Sequence, residues 1–265
     1  MIQPMLKYQW ALYLLFAATV AGCAEMIDPG STPKAGPAPL RVGVTPTNPP
    51  LIFINGGRFD GVEVELARLL AARLDRPLQF VSVDWKDQIP TLLAGRTDII
   101  MSAMTVTEAR KVRIRFTEPY FNGGLSAMIR TEDAGRYTSR ESLGQGFVTI
   151  GVIGGTTGDV AVQRNFPNAR KIELLKASDA PSELRRRAID IFVYDAPAIM
   201  WLVSENEADL MAIEKKLSEE QLAWGIRRED QGFLAQINAI LTDWKRDGTL
   251  DRVLTKWIPV KKNKP

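Results

Sequence analysis

Hydrophobic residues in this chain fall into short runs separated by amphipathic stretches, and the two kinds of segment alternate. Leu40-Arg41-Val42-Gly43-Val44 reads as a buried strand. Val62, Leu66, Leu69, Leu70 and Leu74 then recur at helical spacing behind Asp60-Gly61, which suits a helix start. Leu78–Val83 reads as a second strand, Asp84–Leu93 as a helix stopped by Gly95, Asp98–Met101 as a third strand and Thr107–Lys111 as a short helical piece. A second unit opens near Phe147. Its first strand is Val148–Val152, followed by Gly154-Gly155-Thr156-Thr157-Gly158 and a helix start. Ile172–Leu175 and Ile191–Tyr194 read as strands, and Ser182–Ala188 and Pro197–Asn206 as helices. Leu210–Ile213 and Leu222–Arg227 read as returning strands, and Phe233–Trp244 and Leu250–Trp257 as closing helices. This alternation predicts an α/β fold with parallel-rich sheets and crossover helices. Two such units predict two lobes around a cleft, with any ligand beyond the carboxyl ends of the strands.

The first forty residues read differently. The apolar run Trp10–Val20 follows Lys7 and, at about 11 residues, is shorter than the roughly 20 needed to span a bilayer; it fits a signal-peptide core. Val20-Ala21-Gly22-Cys23 resembles the lipobox of bacterial lipoproteins, which implies cleavage before Cys23 and acylation of that residue. The alternative is an ordinary signal peptide with an incidental cysteine. Ala24–Pro39, rich in Pro, Gly and small residues, reads as a tether.

Composition removes several chemistries. There is no histidine, which excludes Ser-His-Asp and Cys-His nucleophiles. The single cysteine permits no internal disulfide, and zinc would depend on carboxylates; no metal or cofactor is expected. The 34 basic and 31 acidic residues leave a net charge of +3, scattered except at the tail, which argues against a nucleic-acid partner.

The strand ends supply the candidate site residues. Trp85 follows Val83 and can form a flat apolar wall, or belong to the core. Ser102, Ala103, Thr105 and Arg110 follow Met101; together they make a carboxylate-binding set, although Arg110 taken alone, with Arg113 and Arg115 nearby, reads as a surface residue. The glycine-rich turn before Thr157 reads by itself as a plain tight turn; it can also aim backbone N–H groups at an anion, but it lacks the Gly-Lys-Ser/Thr ending of a phosphate loop. Asp195, at a strand end before a Pro-started helix, suits a ligand ammonium or a helix N-cap.

Taken in order, these segments resemble the family 3 extracellular solute-binding proteins, the amino-acid receptors of bacterial ABC importers. The resemblance runs from Leu40 to about Ile258 through Phe59-Asp60-Gly61-Val62-Glu63-Val64-Glu65-Leu66, Leu93-Ala94-Gly95-Arg96-Thr97-Asp98, Ser102–Arg110, Phe116-Thr117-Glu118-Pro119-Tyr120, Gly155–Gly158, Ile189–Asp195 and Asp247-Gly248-Thr249-Leu250. It implies a two-lobe periplasmic-binding-protein fold of type II with a two-strand hinge. Lobe 1 would comprise residues 40–122 plus 225–260, and lobe 2 residues 125–221, with hinges near 122–124 and 221–224. Residues 1–22 would be a signal peptide, 23–39 a lipidated tether and 261–265 a solvated tail.

On the matching positions it implies that Arg110, with Ser102, Ala103 and Thr105, binds an α-carboxylate, joined by Thr157 from the other lobe. Asp195 would bind the α-ammonium and Trp85 would form one face of an aromatic sandwich. The chain departs from the family where Asn48 and Leu51 replace aromatics and where Thr45 stands in place of a common Asp. Asn48, Phe53 and Tyr120 are candidates for further pocket positions, Phe53 as the missing second face. The implied protein is a monomer, anchored through lipid on Cys23 at the periplasmic side of a bacterial membrane. It would carry a small amino-acid-like ligand to an ABC permease, without chemistry of its own. Two rivals are a sensing lipoprotein that feeds no importer, and a dehydratase of the cyclohexadienyl type with Glu63 or Glu173 as acid or base.

Overall fold

In the computed structural model, which describes residues 36–137, 142–144, 147–213 and 216–258, strand β1 (Leu40–Val44) has the near-continuous burial of a strand covered on both faces. The signal peptide, Cys23 and the tail at 261–265 lie outside the described residues, as does the tether up to residue 35. Strands β2 (Thr47–Asn48), β3 (Ile52–Asn55) and β4 (Arg58–Asp60) follow as an antiparallel ribbon. They were not expected from the sequence, although Asn55-Gly56-Gly57 between apolar residues is a hairpin signal, and both glycines take positive φ.

Helix α1 (Val62–Arg73) buries Val62, Leu66, Ala67 and Leu70 and turns Arg68 and Arg73 to solvent. Each fully buried large aliphatic side chain contributes about 1.5–3 kcal/mol. At its start Gly61 has φ 113°, and a Cβ there would lie 2.6 Å from the Pro50 carbonyl, so only glycine lets the ribbon and helix approach this closely. The Pro50 and Leu51 carbonyls in turn accept the N–H groups of Val62 and Glu63.

Strand β5 (Leu78–Ser82) comes next, and a 3₁₀ turn at Trp85–Asp87 precedes α2 (Gln88–Leu93). The single helix expected over 84–93 is divided because Pro90, which has no N–H, belongs in a first helical turn. Strand β6 (Ile99–Ile100), helix α3 (Glu108–Lys111) and strand β7 (Arg115–Phe116) lead to strand β8 (Phe121–Gly123).

The second lobe begins with β9 (Leu125–Arg130), buried throughout and not anticipated from the sequence. Then come β10 (Thr149–Ile153), α4 (Thr157–Asn165), β11 (Arg170–Leu174), α5 (Ala180–Arg185), β12 (Ile191–Asp195), α6 (Ala196–Ser204) and β13 (Leu210–Ala212). The segment expected as one returning strand is two, β14 (Glu220–Leu222) and β15 (Gly225–Ile226), separated where Trp224 turns fully inward. Helices α7 (Gln231–Arg246) and α8 (Thr249–Trp257) close the described chain.

One five-stranded sheet has the order β5-β1-β6-β15-β7 and the other β11-β10-β12-β9-β13. In each, the first three strands are parallel and the last two join antiparallel. β8 and β14 form a two-stranded ribbon with Gly123 opposite Glu220, and Leu222 of β14 also bridges to Thr105. Each lobe also has a charged tie remote from the cleft. Asp98 accepts from the guanidinium groups of Arg41 and Arg76 at 2.5 and 3.0 Å. Arg130, 5% exposed, donates to the Leu184 and Ile189 carbonyls and to Asp133 and Asp190. With all three guanidinium nitrogens directed at acceptors, two of them carboxylates, this arginine can be buried without the cost of an unpaired charge.

Candidate functional site

The carboxyl ends of the central strands of both sheets face one cleft, as the topology of open α/β sheets requires. Lobe 1 contributes Thr45, Thr47, Asn48, Trp85, Ser102, Ala103, Thr105 and Arg110; lobe 2 contributes Ile153, Thr156, Thr157, Tyr194 and Asp195. The cleft encloses only about 20 Å³ of free volume, little more than one water, because side chains of the two lobes already bridge it. All seven of the principal residues selected from the sequence line this cleft.

Arg110 belongs to α3, whose first turn is capped by Thr107 accepting the Arg110 N–H. Its guanidinium donates to the Thr105 carbonyl at 2.8 Å and lies 5.1 Å from the centre of the Trp85 ring. Trp85 therefore backs the cation, a contact of about 0.5–2 kcal/mol, while its indole N–H donates across the lobes to the Gly155 carbonyl at 3.0 Å. Burial lowers the pKa of Arg110 from its ordinary value, opposed by the charges of Asp195 and Glu220. Gly155 needs to be glycine here, because its φ of 72° turns that carbonyl toward lobe 1.

Asp195 ends β12 and takes the N-cap position of α6, but its side chain makes no cap bond. Its carboxylate instead accepts from Asn48 Nδ2, across the lobes, at 2.8 Å. Burial pushes its pKa up to about 7, with the Glu220 charge raising it further and the Asn48 hydrogen bond and Arg110 opposing. Among the described residues no ion pair joins Arg110 to Asp195, although each feels the other's charge. Thr156 and Thr157 open α4, so the positive end of that helix faces the same cleft.

Ala103 corrects one detail of the sequence reading. At φ 53° its N–H points inward to Glu63 at 2.7 Å, so it is not available as a donor to a carboxylate in the cleft. Thr105 and Thr157 hydroxyls, from opposite lobes, both donate to Glu220 Oε2, at 2.9 and 2.8 Å. Glu220, on the crossover ribbon, was missed because its partners lie 115 and 63 residues away in sequence.

Two of the additional candidates lie elsewhere. Phe53 does not form a second aromatic face; it packs against Trp201 and Trp257, with ring centres 5.8 and 6.1 Å away. Tyr120 is buried behind the cleft, where it stacks on Trp224 and donates to Glu63 at 2.7 Å. Asn48 does line the cleft, and Thr47, Ile153 and Tyr194 join it without having been selected from the sequence. Their places at the carboxyl ends of β10 and β12 would have indicated the last two.

Neither acid–base candidate reaches the cleft. Glu63 is fully buried and accepts from Ala103, Tyr120 and Trp224; burial pushes its pKa to about 7 against those three hydrogen bonds. Glu173 is exposed on β11. Among the described residues no acidic or cysteine cluster could hold a metal ion, and no helix is long and apolar enough to cross a membrane.

Comparison with known proteins matches residues 40–260 to the family model for bacterial extracellular solute-binding proteins, family 3. A glutamine-binding protein of an ABC transporter in Bacillus subtilis is 27% identical over 207 residues, covering 77% of this chain and 74% of that relative. Among solved structures, a mutant of ArgBP from T. maritima superposes with a TM-score of 0.77 and 34% identity, over 82% of this chain and 94% of the other. An ancestral amino-acid-binding protein, described as a precursor of cyclohexadienyl dehydratase, gives 0.79 and 30% over 83% and 96%.

Proposed function

Because this chain belongs to the bacterial extracellular solute-binding proteins of family 3, we propose that it captures an amino acid or related zwitterion between its lobes and delivers it to an ABC importer. One observation carries this reading: a cation fixed on lobe 1 and a carboxylate on lobe 2 line a single cleft without pairing with each other. A ligand whose carboxylate and ammonium are one carbon apart satisfies both. Its carboxylate meets Arg110 and the opening turn of α4, and its ammonium meets Asp195. Since each lobe supplies one charge, the ligand stabilises the closed arrangement over an open one, and the change in angle is taken up in the β8–β14 ribbon.

The chain acts as a receptor without turnover, in keeping with relatives named as binding proteins, and it works as a monomer. It works on the periplasmic side of a bacterial membrane, exported by residues 1–22 and held by lipid on Cys23; the small residues ahead of that cysteine support this anchor. Serving a sensor partner in place of a permease would use the same cleft.

The test is a thermal-shift screen of the twenty amino acids, with calorimetry on those that stabilise. At least one is expected to bind, and Arg110→Ala to abolish that binding while the variant still unfolds cooperatively. Unchanged affinity in Arg110→Ala would overturn the assignment.

A further inference from the structure

Resting on the reading of the cleft as an amino-acid site, we propose that Asn48 contacts the ligand directly, accepting one N–H of its ammonium, and that the cleft takes amino acids with uncharged side chains. Asn48 is 5% exposed, and its two polar atoms fare differently. Nδ2 donates to Asp195 at 2.8 Å, whereas Oδ1 is buried with no partner among the described residues. A buried acceptor left unmade costs about 1–3 kcal/mol, so native structures seldom keep one without a use. This one sits on the cleft wall beside the carboxylate already assigned to the ammonium.

The side chain is held in place. Asn48 pairs with Ile52 in the β2–β3 ribbon, its carbonyl accepts the Leu51 N–H, and two prolines follow it. Neighbouring acceptors are already engaged. The Thr45 hydroxyl, at the position where many family members carry an Asp, donates to the Val83 carbonyl and accepts from Gln88. Ser102 Oγ accepts the Thr45 N–H. An ammonium has three N–H donors; Asp195 and Asn48 Oδ1 together offer it a carboxylate and a neutral amide.

That pairing sets the charge balance. Among its described lining residues the cleft has one cation, Arg110, and one carboxylate, Asp195, both satisfied by the zwitterion itself, while Glu220 behind the lining is already held by the Thr105, Thr157 and Ser218 hydroxyls. A guanidinium or second ammonium on the ligand side chain would be desolvated without a counter-charge, and so would a second carboxylate; an unpaired buried ion costs several kcal/mol.

The test uses calorimetry on the full chain, with the twenty standard L-amino acids as probes, on wild type, Asn48→Leu and Asn48→Asp. The tightest wild-type ligand should have an uncharged side chain. Asn48→Leu, similar in shape but without an acceptor, should weaken it about ten- to a hundredfold, as expected for one hydrogen bond to a charged donor. Asn48→Asp restores an acceptor and adds a charge, so it should recover binding and shift selectivity at least tenfold toward arginine or lysine. Arginine, lysine, aspartate or glutamate binding tightest to wild type overturns the proposal, as does a folded Asn48→Leu with wild-type affinity. If none of the twenty binds wild type, the amino-acid reading itself fails and this assignment with it.

Discussion

Acidification should open the site chemically before it unfolds the protein. Asp195 has a pKa near 7 because it is buried, with Glu220 adding to the shift and Asn48 and Arg110 opposing it. The charged and titratable groups around it are therefore Arg110, which stays protonated at any working pH, Glu220, and Tyr194, whose hydroxyl pKa is raised well above its ordinary value by burial and by Asp195. A ligand ammonium needs the ionised carboxylate. Because this pKa is raised, the ionised form is lost as pH falls through about 7, much earlier than for an ordinary aspartate. The apparent Kd then scales as one plus the ratio of protonated to ionised Asp195, which grows about tenfold per pH unit below 7. Between about pH 8 and about pH 5 the affinity should drop roughly a hundredfold. Calorimetry with the tightest amino acid across that range measures the drop. Repeating it in two buffers of different ionisation enthalpy counts the proton released on binding near neutrality. Asp195→Asn should bind weakly with a flat profile. A change of less than about threefold in wild type, or tighter binding in acid, would refute the link between this carboxyl's burial and ligand capture.

Stability should carry an opposite trend. Glu63 has a folded pKa of about 7 against an ordinary 4.5, so the native state keeps a proton that the unfolded chain loses. Stability then falls as pH rises from about 4.5 to about 7, by up to about 1.4 kcal/mol per unit from this group. Asp195 adds to the loss with the same sign. Glu63→Gln should remove roughly half of the slope of urea midpoint against pH; an unchanged slope would refute the assignment. Gly124, at φ 144°, has no room for a side chain, since a Cβ would lie 2.0 Å from the Ser218 carbonyl. Gly124→Ala should therefore lower stability by more than about 1 kcal/mol, visible as a drop of several degrees in Tm; an unchanged Tm would show that the ribbon gives way easily.

The alternation of strands and helices was legible because the central parallel strands are buried on both faces, which leaves continuous apolar runs such as Leu40–Val44 and Ile191–Tyr194. Strand β9 escaped the same logic. It carries Ser126 and Arg130, polar letters that suggest surface, yet both are buried, and Arg130 is satisfied by carbonyls and carboxylates distant in sequence. The cleft residues at strand ends were readable for a topological reason: loops at that edge converge whatever their sequence. Phe53 and Tyr120 were misplaced because an aromatic letter does not say which way its ring points. Phe53 points from the ribbon toward Trp201 and Trp257, while Tyr120 turns into the core toward Glu63. Glu220 and the role of Asn48 depend on contacts between lobes, which no local pattern encodes.

Because Gly123 lies opposite Glu220, the backbone departs for the second lobe and returns at adjacent points. Everything between is one uninterrupted stretch of polypeptide whose ends are neighbours, inserted into a first lobe that keeps its own sheet and its own Asp98 tie. Half of the cleft is thus a transplantable cassette. Exchanging it for the matching stretch of a related protein would need only two splices, and would set the Arg110 half of the cleft against a new opposite wall.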